Sequence, residues 1–129
     1  MFKGLDHVVI AVKDLEASIR NYEQVYGTTV SERREAQGMK AAYFRFEGSY
    51  VELVTNDADE GPIARRLSTT GEGVHLIALK VDDIDATVVR LRDAGIRLLG
   101  DPGPGQQVVG QIFVHPSVMG GVLTEIVQS

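Results

Sequence analysis

The chain has no cysteine and no tryptophan, and only four prolines and three histidines. Without cysteine there is neither a disulfide framework nor a thiolate zinc site, so any metal would rest on His, Asp, Glu, Gln or water. Long apolar runs are missing as well. The opening stretch MFKGLDHVVIAV is broken by Asp6 and His7; it falls far short of the roughly 20 residues of a membrane span and lacks a signal peptide's cleavage region. Basic clusters are absent too: 13 basic side chains stand against 18 acidic ones, net −5, the densest being the pairs Arg33-Arg34 and Arg65-Arg66. That balance argues against nucleic acid or an anionic membrane as partner. The expectation is a cytoplasmic protein whose partner is a small molecule. What is present, 129 residues with 43% apolar and 24% charged, suits one soluble domain that buries about two thirds of its unfolded surface.

An internal repeat organises the chain. Residues 7 to 25, HVVIAVKDLEASIRNYEQV, match residues 76 to 94, LIALKVDDIDATVVRLRDA, apolar to apolar, with Val12/Val81, Asp14/Asp83 and Ala17/Ala86 identical at an offset of 69. Each copy opens with a β-branched run, Val8 to Val12 or Ile77 to Val81. An Asp suited to a helix N-cap follows, then apolar residues at helical spacing: Leu15, Ile19, Tyr22 and Tyr26, or Ile84, Val88 and Leu91. Gly27 and Gly95 suit the helix ends. Strands are expected at Thr28 to Ser31, Ala41 to Phe46 and Tyr50 to Thr55, then at Arg97 to Leu99, Gln111 to His115 and Val122 to Val127, with turns between. Pro62 is placed to begin a short helix in the connection between the copies. The fold class is therefore α+β: one domain over 1–129 made of two βαβββ modules, at about 5–56 and 74–128, paired into a curved, half-closed mixed sheet.

Equivalent strand positions of the two copies should then contribute to one site. His7 is matched by Leu76. Glu52 in YVELV and Glu125 in LTEIV are lone acids inside apolar strands near the ends of their halves; their offset of 73 places four extra residues in the second half, most simply within Gly100 to Gly105. His plus two carboxylates suits Mn, Co, Ni, Fe or Zn, and acids inside apolar strands are costly unless satisfied. Read singly, a His at a strand start is more often a capped or partly exposed residue, and an acid in a strand more often faces solvent. Their symmetry is what favours a site.

The stretches LDHVVIAVKDLEASIRNYEQVYG, GEGVHLIALKVDDIDATVVRLRDAGIRLL and HPSVMGGVLTEIVQ resemble the vicinal oxygen chelate (glyoxalase/bleomycin resistance) superfamily, most closely its methylmalonyl-CoA epimerase branch. The resemblance implies paired βαβββ modules, often a homodimer, and a divalent ion that stabilises an enolate while carboxylates move the proton. It places His7, Glu52 and Glu125 at three metal-ligand positions; Glu125 and Glu52 are also the candidate catalytic carboxylates. The fourth position departs from the family, because the usual pair of histidines reads His75-Leu76 and neighbours on a strand face opposite sides. The family's base, a Glu three residues beyond a Gln-Gly step, is replaced by Ala41, and the lysine after His115-Pro116 by Ser117.

These departures leave two readings. One is a divergent epimerase-like isomerase or lyase that moves a proton on a small carbonyl compound by epimerisation, isomerisation or cyclisation. Its metal site would be weakened or absent, two carboxylates then sharing a proton. The other is a non-catalytic, drug-sequestering binder with an apolar pocket. Strand alternation groups Met39, Ala41, Tyr43 and Arg45 on one face, and these with Leu76 are the substrate-binding candidates. Keeping both acids inside strands favours the enzyme.

Overall fold

The computed structural model describes all residues 1–129. It holds three helices and eight strands with mixed pairing, in two compact units: residues 7–75, and residues 1–6 together with 76–129. β1 (Phe2–Ala11) and β5 (Gly73–Val81) each begin in one unit and end in the other.

In the 7–75 unit, Asp14 is extended and accepts from the Ala17 N–H, starting α1 (Leu15–Tyr26), which ends where Gly27 takes a left-handed φ of 70°. β2 (Glu32–Ala36), β3 (Met39–Phe46) and β4 (Ser49–Asn56) follow, in the lateral order β2-β3-β4-β1. β1 and β4 run parallel; the other pairs are antiparallel. A two-residue turn, Gln37-Gly38 with both φ positive, joins β2 to β3, as suits a tight hairpin. Apolar residues at alternate positions, Ala42, Phe44 and Leu53, pack on Val12, Leu15 and Ile19, so the α1 side of these strands is the core. α2 (Pro62–Thr69) begins at Pro62 as expected.

The expected strand at Thr28 to Ser31 is instead the exit from α1. The Val30 N–H donates to the Glu23 carboxylate at 2.8 Å, and pairing to β3 begins when Ser31 N–H donates to the Tyr43 carbonyl at 2.7 Å. The strand lies one step later, in ERREA, whose charges suit an exposed sheet edge but hide the alternation that marks a strand.

The other unit repeats the plan. Asp83 caps α3 (Ile84–Asp93) through the Ala86 N–H, and Gly95 follows the last turn. β5 pairs in parallel with β8 (Thr124–Gln128), then β7 (Phe113–Val114) and β6 (Leu98–Leu99) complete the order β5-β8-β7-β6. These last strands are shorter than expected: Arg97, Gln111, Ile112, His115, Val122 and Leu123 stand outside them. Two constraints account for this. Arg92 holds Asp101 through two bonds of 3.1 and 2.6 Å, fixing the glycine-rich loop, and His115 caps a 3-10 turn at Pro116–Val118. Val81, Val88, Leu91, Ile112, Val114 and Ile126 form this unit's core.

Candidate functional site

The strand registers decide which side chains meet. His7, Tyr50 and Arg45 lie in one row across β1, β4 and β3; Val9, Glu52 and Tyr43 form the next; Ala11, Val54 and Ala41 the third. Because side chains alternate, this whole set lies on the face turned away from α1, opposite Phe44 and Leu53. Met39 and Arg45 complete the β3 line at either end, both exposed, while Ala41 is buried. Met39, Ala41, Tyr43 and Arg45 thus share a face with His7 and Glu52.

His7 is 7% exposed and its ring stacks on Tyr50, centroids 4.5 Å apart with 12° between planes. Tyr43 lies against Tyr50 at 5.7 Å, with the Arg34 and Arg45 guanidinium groups 5.7 and 6.0 Å from its ring centre. Burial, with the Glu52 carboxylate beside it, raises the Tyr43 phenol above its ordinary pKa, so Tyr43 stays a proton donor at neutral pH. Arg45 also pairs with Glu32 at 2.6 Å. Its hydrogen bond holds Glu32 below the usual carboxylate range, although the pair is open to water.

In the other unit, Glu125 pairs with Ala78 of β5 on one side and Phe113 of β7 on the other. Leu76, two residues before Ala78, shares that face; Leu76 is 7% and Glu125 9% exposed. Gln111 Nε2 donates to Glu125 Oε2 at 3.4 Å. The backbone of Gln111 is closely held, for a Cβ on Gly100 would come within 2.3 Å of its carbonyl oxygen. Neither Tyr50 nor Gln111 stood out in the sequence. Their signal is positional: Tyr50 shares the alternation of Glu52, and Gln111 that of Phe113.

The donor set is one ligand short of the four that the family resemblance implies. Residue 76 offers hydrocarbon at the fourth position. His75 is on the opposite face of β5, where burial and the nearby Arg66 cation lower its pKa. No three His, Asp or Glu side chains gather into a coordinating group. What the 7–75 unit offers is acid–base chemistry: a carboxylate, an imidazole and a phenol on one sheet face. One open depression of the 7–75 unit is lined by Glu16, Arg33 and Lys40, whose charges are matched by the Arg33–Glu16 and Lys40–Asp57 pairs.

Residues 6–113 match the Glyoxalase/Bleomycin resistance protein/Dioxygenase superfamily. The mitochondrial methylmalonyl-CoA epimerase of Dictyostelium discoideum is 35% identical over 127 residues, covering 95% of this chain and 76% of that one. An ethylmalonyl-CoA/methylmalonyl-CoA epimerase of Cereibacter sphaeroides is 33% identical over 133 residues and 99% of both chains. The crystal structure of methylmalonyl-CoA epimerase from Mycobacterium tuberculosis superposes with a TM-score of 0.82 at 33% identity, over 98% of this chain and 88% of that one. A Streptomyces coelicolor methylmalonyl-CoA epimerase variant in complex with 2-nitronate-propionyl-CoA superposes with a TM-score of 0.81 at 34% identity, over 100% and 99%.

Proposed function

Since the chain belongs to the Glyoxalase/Bleomycin resistance protein/Dioxygenase superfamily, we propose that it moves a proton on the carbon beside a carbonyl group, without a resident metal, in a small CoA thioester or a related acid. One observation carries the proposal: His7, Glu52 and Tyr43 occupy adjoining rows of one sheet face, on strands whose opposite face is core.

Each group has a part that its chemistry allows. The Glu52 carboxylate takes the proton; the C–H electron pair moves toward the carbonyl, leaving negative charge on its oxygen. His7 donates an N–H to that oxygen. Tyr43, kept protonated by burial and by Glu52, is a second donor. A proton delivered to the opposite face of that carbon gives the epimer, and one delivered to another atom of the enolate gives an isomer, while return to the same face restores the substrate; no oxidant or reductant is consumed. Glu125, buried on its own strand and contacted by Gln111, is the second candidate for a proton-moving group. Ala41 and Leu76 supply apolar contact where the family's base and ligand would stand. They also favour the second reading, a small-molecule binder of the same superfamily. We further propose a cytoplasmic homodimer.

Exchange in deuterated water separates the two. Wild-type protein with methylmalonyl-CoA, and with ethylmalonyl-CoA, is expected to wash deuterium into the α position. Glu52→Gln and Glu125→Gln should each slow this about 100-fold or more, within the range for losing a general base. Binding without exchange, detected by calorimetry, would establish the binder instead. Elemental analysis accompanies the assay: stoichiometric Co, Mn, Ni, Fe or Zn in protein purified without chelator would overturn the metal-free part.

A further inference from the structure

The row that contains His7 is more ordered than acid–base chemistry alone requires. β4 lies between β1 and β3, and the register sets Arg45, Tyr50 and His7 side by side across the three strands. The Arg45 guanidinium sits 5.0 Å from the Tyr50 ring centre, and the His7 imidazole lies 4.5 Å away, within 12° of coplanar stacking. At the outer end Glu32 of the edge strand β2 holds Arg45 at 2.6 Å. We infer that Tyr50 is a positioning residue: it fixes the plane of the His7 ring, and Arg45, anchored by Glu32, fixes Tyr50.

The physical reason lies in the last torsion of the histidine side chain. Rotation about χ2 is broad and roughly two-fold, so the plane of the ring depends on what packs against its faces. A parallel aromatic face selects one plane, and a cation near the phenol ring is attracted to its electron-rich face. A chain running from Glu32 through Arg45 and Tyr50 to His7 thereby ties the aim of a buried donor to a charge pair on the sheet edge. The positioning is assigned to the ring face, which contacts both His7 and Arg45.

This inference rests on the proton-transfer reading, and the variants are chosen so that the two can fail separately. Tyr50→Phe keeps the ring, and kcat for α-proton exchange is expected to stay within about threefold of wild type. Tyr50→Leu keeps apolar volume but no ring, and kcat should fall roughly 10- to 100-fold, the scale on which a small misplacement of a reacting group is felt, with KM little changed. Arg45→Met should lower kcat by a smaller factor. A change confined to KM would instead assign Arg45 to the substrate and remove it from the chain of contacts. Proton NMR of the His7 ring, assigned by its loss in His7→Gln, reads positioning without activity. Its carbon-bound protons should be shifted by the Tyr50 ring current equally in wild type and Tyr50→Phe, and should move in Tyr50→Leu. Equal losses of kcat in Tyr50→Phe and Tyr50→Leu, or His7 lines unmoved in Tyr50→Leu, would overturn the inference. Wild-type protein that exchanges no α-proton overturns the proton-transfer reading and with it any role of Tyr50 in that reaction, while the NMR comparison still decides whether the ring is held.

Discussion

Gly100→Ala tests how firmly the fold holds the second candidate carboxylate. Two separable penalties apply. The first is conformational: Gly100 has φ +84°, a left-handed value that costs an alanine roughly 1 kcal/mol. The second is steric, since the new Cβ would meet the Gln111 carbonyl oxygen at 2.3 Å, well inside the 3.0 Å below which something must shift. What shifts is constrained. Ile112, the next residue, is fully buried, and its carbonyl accepts from the Ile126 N–H at 3.0 Å. Weakening that bond and disturbing the core add about 1–2 kcal/mol, for a total of about 2–3 kcal/mol. At a urea slope of about 2 kcal/mol per molar the unfolding midpoint should drop by roughly 1 M or more. Gly105→Ala is the control, because Gly105 has a comparable φ of +78° with nothing within 4 Å of its Cβ position; only the roughly 1 kcal/mol backbone term applies there. If Gly100→Ala loses no more stability than Gly105→Ala, the close approach to Gln111 is absent and the account of how Gln111 is held is wrong.

Three further outcomes follow from particular residues. Phe44 is fully buried among Val12, Ile19 and Leu53, so Phe44→Ala should cost about 3–5 kcal/mol in the same urea titration. His75 is held below the ordinary histidine value of about 6.5 by burial first and the Arg66 cation second, so the unfolded chain binds its proton more tightly than the folded one. Stability from this source is complete above about pH 6.5 and is lost as pH falls through that value toward the lower folded pKa. His75→Gln should therefore flatten the acid side of a plot of unfolding midpoint against pH, and an unchanged slope would refute the assignment. Leu76→His places an imidazole on the β5 face that pairs with Glu125; affinity for Co or Zn by equilibrium dialysis should rise, and no rise would show that a donor at this position is not what a metal lacks.

Much of the framework is legible in the sequence because it is local. Asp14 and Asp83 each cap a helix by reaching three residues ahead, an interaction that needs no tertiary partner. The repeat is readable for the same reason, as is the grouping of Met39, Ala41, Tyr43 and Arg45, which follows from strand alternation alone. His7, Glu52 and Glu125 stood out because a polar residue in an apolar strand breaks the pattern. β2 is not legible in the sequence because Glu32–Ala36 carries no apolar alternation: it is a strand only because β3 offers it a ladder. β7 came out shorter than its apolar run because the 3-10 turn after His115 ends the pairing.

The sequence by itself determined that this is a cysteine-free chain of two α+β repeats, with its acids and first histidine set in strands. Caps, turns and two-residue alternation act over a few residues, so they can be read before any folding is considered. Only the tertiary structure decided that Tyr50 faces His7, that Arg45 completes their row, and that Gln111 reaches Glu125. Those neighbours are set by strand register. Register depends on how whole faces pack, and a slip of one residue would turn every one of these side chains to the other side of the sheet.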